Sequence, residues 1–345
     1  MFPMIYKNRK MKTRTTYHIL AIAALLALWA CSSDSDSWPK DSNECTPILF
    51  SSVSIDKNSV KTRTMAADTH NKGLDKGAEI NVFIYNENGN PVKNGDEDSS
   101  PLATLPLVYK TTDDANPETA QSALTPKESN TSPAYPNGEN NNAYIFAFYP
   151  TTATKVSDDE YTFSASTDQR VADNIIQSDL LATDLIIQPR AGGKAIDLPM
   201  SHRMAKIIVK FNPTGSLTEE NMPTEFQVIN VQKDITIRPK TTATSGSASI
   251  TTSGAATTII ANSSEAFLIP PQTISNAFLK FTIKGKASDK FDDIIDVTFT
   301  PTQSLTLEAN NVYEITVSVN VNYVTVTAAI TPWNHEDITF DKYIL

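Results

Sequence analysis

Cys31 stands at the end of an almost unbroken apolar run, Ile19 to Trp29, with small Ala30 just before it and Lys12 and Arg14 ahead of the run. That arrangement suits one covalent chemistry, acylation of the thiol. Basic residues hold the leading segment on the cytoplasmic side, the run is too short for a permanent membrane helix, and a small residue fits the processing site of a bacterial lipoprotein signal. Residues 1–30 are read as that signal peptide. Cys31 is then the site of both signal cleavage and lipidation, and the chain is exported and tethered to the outer membrane through its acyl chains. The abrupt change to Ser32-Ser33-Asp34-Ser35-Asp36-Ser37 argues against a buried core helix. Met11 is an alternative start, because residues 1–10 add nothing that a signal needs.

Other chemistry-bearing residues are not spaced for a reaction. His18 lies in the signal, and His70, His202 and His335 are scattered without HxH or HxxxH spacing, so no zinc site is expected. Neither a GxSxG elbow, a P-loop nor a dinucleotide fingerprint occurs. His202, between Ser201 and Arg203, reads as a satisfied histidine at the start of a strand. Asp289, Asp292, Asp293 and Asp296 surround Phe291 but lack the glycine and terminal glutamate of a calcium loop, so a solvated hairpin is expected there. Glu336 and Asp337 beside His335 read the same way. The chain is thus expected to be no enzyme and to need no metal or cofactor.

Removing residues 1–30 takes away five basic residues (Lys7, Arg9, Lys10, Lys12, Arg14) and no acid, which moves the formal charge from −10 to −15. Such a balance disfavours nucleic acid as a partner, since no basic stripe remains for phosphates. Cys31 and Cys45 are the two cysteines, and with Cys31 lipidated no internal disulfide is possible.

The elements that must carry a function are strands. Residues 31–46 are rich in Ser and Asp, contain Pro39 and read as a flexible tether. Beyond Pro47, short β-type runs are separated by Pro, Asn, Asp and Gly: Ile48–Ile55, Glu79–Tyr85, Leu105–Tyr109, Ala143–Tyr149, Tyr161–Ser164, Lys206–Phe211, Phe226–Val231, Ile235–Arg238, Ala266–Ile269, Phe278–Ile283, Ile294–Phe299, Val312–Val319 and Val324–Ile330. Their alternation predicts one packed face and one wet face, as in antiparallel sandwiches. Asn86–Ser100 and Asp113–Asn142 read as exposed excursions, and Asn174–Leu185 as a short helical exception. Length predicts two domains, 47–193 and 194–345, divided near Arg190-Ala191-Gly192-Gly193-Lys194.

Several segments in order resemble a known family. Ile48–Ile55, then Lys61-Thr62-Arg63-Thr64, then Gly77-Ala78-Glu79-Ile80-Asn81-Val82-Phe83-Ile84-Tyr85 are similar to the opening of the fimbrillins of Bacteroidales fimbriae. Tyr144–Pro150 and Gln177–Ala182 resemble the later part of that family's first domain, and Leu198–Ile207 the start of its second. Phe267-Leu268-Ile269-Pro270-Pro271-Gln272, Ala309–Ile315 and Ala329-Ile330-Thr331-Pro332-Trp333 resemble its closing elements. Ala78 and Asn81 depart from the family's usual Asp and Gly. The acidic run after Cys31 also resembles the surface-export signal of Bacteroidota lipoproteins, although a plain solvated linker reads equally well.

The resemblance implies an all-β fold of two tandem transthyretin-like Greek-key β-sandwich domains, and a structural subunit of a cell-surface fimbria that supports adhesion and biofilm formation. It also implies polymerisation by strand exchange after an arginine-specific protease cuts between Arg63 and Thr64. The partners are then other fimbrial subunits, with the membrane held only before processing. Without the resemblance, Arg63 is an ordinary solvated arginine in a polar loop. Val324–Ile330, with Val324, Val326, Ala328 and Ile330 alternating, reads on its residues alone as the last strand of its own domain. By resemblance it becomes the strand donated to a neighbour. A stalk role fits both the cleavable first strand and the donor better than a tip or an anchor. The alternative is a glycan-binding surface lipoprotein beside an outer-membrane transporter, yet Trp38 in the tether, Trp333 after a strand and Tyr135 in a long loop form no aromatic platform.

Overall fold

The structure is a computed structural model that describes residues 46–55, 73–94, 106–116, 121–128, 133–135, 142–190, 194–240, 248–284, 295–301, 303–320, 323–332 and 338–339; at 93–94, 295, 323–332 and 338–339 it describes the backbone alone. Among these residues strands dominate, with one short α-helix, Ala172–Gln177, and one 3-10 turn, Glu219–Asn221. The all-β expectation holds. Residues from Glu44 onward form one compact unit.

The first half is organised by an eight-stranded sheet. Its spatial order is Leu181–Thr183, Ile196–His202, Phe50–Ile55, Gln121–Pro126, Leu107–Thr111, Glu79–Tyr85, Ala143–Tyr149 and Ile186–Gln188. Leu181–Thr183 pairs with Ile196–His202 on one side and with Ala143–Tyr149 on the other, so the sheet closes on itself. Closure leaves the inner strands without a free edge. Phe50, Val53, Ile55, Ile80, Val82, Ile84, Ile145, Leu198 and Met200 belong to the core inside this ring.

Two of these strands depart from the one-wet-face expectation. Along Glu79–Tyr85 and Ala143–Tyr149 nearly every side chain is buried. Ile80, Val82 and Ile84 belong to the ring core, while Phe83 and Tyr85 belong to a second core with Phe146, Phe148, Tyr161, Phe163, Ile235, Ile237 and Leu268. An aromatic cluster anchors that second core: Phe83 stacks on Phe148 at 5.7 Å and meets Tyr161 edge-on at 5.4 Å. Near-continuous apolar runs such as Ile80–Tyr85 are what burial on both faces requires. The second core ties the halves together, because Glu160–Ser164 pairs directly with Asp234–Arg238.

In the second half, two five-stranded sheets share one core. The first orders Asp168–Gln169, Thr257–Asn262, Glu225–Val231, Leu279–Ile283 and Ile295–Phe299; the second orders Ala266–Ile269, Ala205–Pro213, Asn311–Asn320, Tyr323–Pro332 and Ile338–Thr339. Ile207, Val209 and Phe211 share a core with Phe226, Val228 and Phe281 of the other sheet. Phe211 meets Phe281 edge-on at 4.8 Å. Ile196–His202, on the C-terminal side of residue 194, is hydrogen-bonded into the first-half ring.

Two sequence expectations change. Asp113–Asn142, read as an exposed excursion, contains the strand Gln121–Pro126, which lies beside the first strand inside the ring. It is short of apolar residues because its inward position is Ser122, whose hydroxyl donates to the Leu74 carbonyl at 3.0 Å. The helical exception stops at Gln177, and Leu181–Thr183 is a strand. Ser178 helps end the helix: its hydroxyl donates to the Asn174 carbonyl at 2.6 Å and accepts from the Ser166 amide at 2.9 Å.

Candidate functional site: the bed of the first strand

Phe50–Ile55 is bordered on both sides. It runs parallel to Ile196–His202, with Val53 opposite Leu198 and Ile55 opposite Met200, and antiparallel to Gln121–Pro126, with Val53 opposite Ser122. A register shift between Phe50 and Ser52 leaves Ser51 exposed. The bulge explains why the buried residues are spaced unevenly: Phe50, Val53 and Ile55 are 8%, 1% and 3% exposed. Phe50 meets Tyr109 edge-on at 5.0 Å. Burial of these three side chains at about 1.5–3 kcal/mol each makes the strand a substantial part of the ring core.

A polar seam sits beside this apolar plug. Ser51 donates to Asp197 Oδ1 at 2.6 Å, Ser52 donates to the same oxygen, and Gln121 Nε2 donates to Ser52 Oγ at 2.8 Å. The hydrogen bonds from Ser51 and Ser52 hold the Asp197 carboxyl below the usual carboxylate range. The strand's approach is fixed by the Ile48 amide donating to Pro133 O at 2.7 Å, by the Tyr135 amide donating to Thr46 O at 2.8 Å, and by Arg190 Nε donating to Thr46 Oγ1 at 2.9 Å. Nothing in the pattern of the sequence singled out Ser51, Ser52, Gln121 and Asp197, which are far apart in the chain.

The ring is closed next to this bed by a buried pair. His202 Nδ1 lies 2.9 Å from Asp179 Oδ1, and both side chains are almost wholly buried. Asp179 precedes the closing strand Leu181–Thr183, and His202 ends the strand that flanks Phe50–Ile55. Arg203 Nη2 adds bonds to Ala182 O at 2.9 Å and Asp184 Oδ1 at 2.8 Å. His202 is thus held in the ring through its Nδ1 contact with Asp179.

The second strand of interest, Tyr323–Pro332, contains all of Val324–Ile330. It pairs over its whole length with Asn311–Asn320 of the same chain, placing positions 324, 326, 328 and 330 opposite the buried residues Val319, Val317, Ile315 and Tyr313. Its other side is paired at two positions, Ala329 with Thr339 and Ile330 with Ile338. Most of that side has no ladder partner among the described residues.

The remaining sequence expectations do not meet at this site. Cys31, Arg63 and Thr64 lie outside the described residues, as do the signal 1–30, His70, Asp289, Asp292, Asp293 and His335 to Asp337. Asp296 accepts a hydrogen bond from Thr282 Oγ1 at 2.8 Å. Among the described residues no group of three His, Cys, Asp or Glu side chains could hold a metal ion.

No curated protein matches the chain. A solved structure of a candidate cell adhesion protein from Bacteroides uniformis superposes with a TM-score of 0.54 at 16% identity, covering 86% of this chain and 100% of that one. A candidate cell adhesion protein from Bacteroides ovatus gives 0.49 at 17%, covering 85% and 99%, and the C-terminally truncated tip fimbrial protein of Porphyromonas gingivalis gives 0.41 at 9%, covering 82% and 99%. At such identities the first likeness speaks for the fold alone. The sequence itself matches the family description over residues 62–333, most of the chain, and the protein belongs to the fimbrillin-like family.

Proposed function

We propose that the protein is a stalk subunit of a cell-surface fimbria, exported as a lipoprotein acylated on Cys31 and polymerised by strand exchange. One observation carries this reading: Phe50–Ile55 is an internal strand of a closed sheet, with apolar side chains filling the ring core. Its removal leaves Ile196–His202 and Gln121–Pro126 with facing unpaired edges and an apolar trough between them. Such a bed is filled by a strand from another chain, with main-chain bonds giving affinity and alternate side chains giving register. In the proposed sequence an arginine-specific protease cuts after Arg63, the first strand leaves with the lipid, and Val324–Ile330 of a neighbouring subunit takes its place. Adhesion and biofilm formation would follow from the polymer. The division into domains 47–193 and 194–345 belongs to the same reading, with Ile196–His202 serving the first domain's sheet.

N-terminal sequencing of the protein recovered from SDS-resistant surface polymers tests the reading. A start at Thr64 supports it. A lipidated Cys31 retained in the polymer would refute the stalk role and leave an anchor.

A further inference from the structure

Between two ring strands that pair with each other, Ala143–Tyr149 and Leu181–Thr183, the chain leaves the first half and is woven into the second. Both ends of this excursion are fixed, since Tyr149 pairs with Leu181. Along Glu160–Ser164, Tyr161 lies opposite Ile237 and Phe163 opposite Ile235, and all four are buried in one core with Phe83 and Phe148 of the ring strands. Beyond the ladder the Ala165 amide donates to Lys233 O at 2.9 Å, and the Ile260 amide donates to Thr167 O at 2.8 Å. Asp168 and Gln169 then run parallel to Ile260 and Ala261, as a margin strand of the first five-stranded sheet. Arg170 ends the run: its Nη1 donates to Glu225 Oε2 at 2.8 Å, and its carbonyl accepts from Asn262 Nδ2 at 3.0 Å.

Gln169 carries the sharpest detail. Its side chain is wholly buried, its Nε2 donates to Leu268 O at 2.8 Å, and its Oε1 accepts from the Leu268 amide at 2.7 Å. Leu268 belongs to Ala266–Ile269, the margin strand of the second five-stranded sheet. The main chain of Gln169 therefore extends one sheet while its amide serves as a ladder partner at the margin of the other. A buried amide and peptide group in this position are costly to leave unpaired, so the pairing resists displacement. Two halves joined by a simple linker reorient freely, because a hinge needs only a few loop residues to absorb the change. Here shared ladders, a shared aromatic core and Gln169 take the place of such a linker.

We propose that Glu160–Arg170 is a brace that fixes the orientation of the two halves and leaves the protein without an internal hinge. Tyr161 and Phe163 hold its near end in the shared core, and Gln169 holds its far end between the sheets of the second half. If the stalk reading above is right, a fimbria built from this chain bends between subunits and not within them. The brace itself does not depend on that reading, and its test involves no polymer.

Spin-label distance measurements on the mature chain, with Cys31→Ser and Cys45→Ser, test the brace. Labels at Thr125→Cys and Lys280→Cys, exposed strand positions in opposite halves, report the orientation; labels at Thr125→Cys and Ile187→Cys, both exposed and within the ring sheet, give the width due to the labels alone. The account expects one cross-half distance, as narrow as the within-ring control. Combining Phe163→Ala with Gln169→Ala should broaden the cross-half distribution at least about twofold and leave the control unchanged. Should that pair prevent folding, Gln169→Glu alone, which sets a carboxylate against the Leu268 carbonyl, should broaden it in the same sense. A broad or two-peaked cross-half distribution in the parent would overturn the proposal, as would a width unchanged in the folded variants.

Discussion

The first strand and the terminal strand are both free of interior glycine, yet the fold holds them in opposite ways. Phe50–Ile55 is bonded on both sides within a closed ring, its side chains in a core with buried residues from five other strands. Tyr323–Pro332 is bonded along one side to its hairpin partner and at two positions on the other. The spacing differs too. A bulge at Ser51 gives the first strand an irregular buried set, whereas 324, 326, 328 and 330 keep strict alternation opposite Val319, Val317, Ile315 and Tyr313. A strand in the ring is held by two ladders and a core that must open, whereas the terminal strand is held by one full ladder and a two-position pairing. Under the proposed function, that asymmetry suits a plug and a donor.

The largest effect is expected at the plug. Val53→Asp puts an unpaired charge into the ring core and should cost more than about 4 kcal/mol, enough to prevent recovery of folded protein, whereas Leu49→Asp, at a half-exposed position of the same segment, should stay within about 0.5 kcal/mol by urea denaturation. Next is the closure of the ring. Asp179→Ala strands His202 in a dry site and should cost about 3–5 kcal/mol, with hydrogen exchange rising first at Leu181–Thr183 and Ile196–His202. On the donor side, Ile315→Ala removes core packing beneath the hairpin at a cost of about 2–5 kcal/mol. Exchange should quicken across Tyr323–Pro332 while amides of Phe50–Ile55 remain protected; equal loosening of both would erase the contrast between the strands.

The smallest effect belongs to the polar seam. Ser52→Ala should cost about 1 kcal/mol through its lost bonds to Asp197 and Gln121. Asp197 has its folded pKa depressed by Ser51 and Ser52, so its contribution is fully present above the unfolded carboxylate value of about 3.9 and is lost as pH falls below it toward the folded value. Acid titration of stability should therefore show a smaller loss below about pH 4 in a Ser51→Ala, Ser52→Ala variant than in the parent.

Much of this architecture was legible because its strands are written in apolar alternation. Glu79–Tyr85, Ala143–Tyr149 and Ala266–Ile269 match their expected limits, and the others shift by a residue or two. Gln121–Pro126 was not legible, since Ser122 replaces apolar packing with a hydrogen bond to Leu74 and no period-two signal remains. Ring closure by Leu181–Thr183 was hidden because three residues are too few to carry a pattern and Ile175, Ile176, Leu180 and Leu181 mimic a helical face. Likewise the polar seam is a product of register: Ser51, Asp197 and Gln121 meet only once three strands are in place. What the alternation at 324–330 could not reveal is which chain the strand serves, because a donor and a last strand have the same pattern.

The central claim is that the bed of Phe50–Ile55 accepts a second strand once the first is cut loose. The direct measurement uses the mature chain with a specific protease site in place of Arg63-Thr64, folded, cut, and freed of the N-terminal fragment in mild denaturant. Hydrogen exchange is then read at Gln121–Pro126 and Ile196–Met200 with a synthetic peptide of residues 323–332 added. The account predicts that both segments lose protection when the fragment is removed and regain it with that peptide, and not with a peptide of the same composition in scrambled order. Protection that survives removal of the fragment, or that the 323–332 peptide fails to restore, would contradict it.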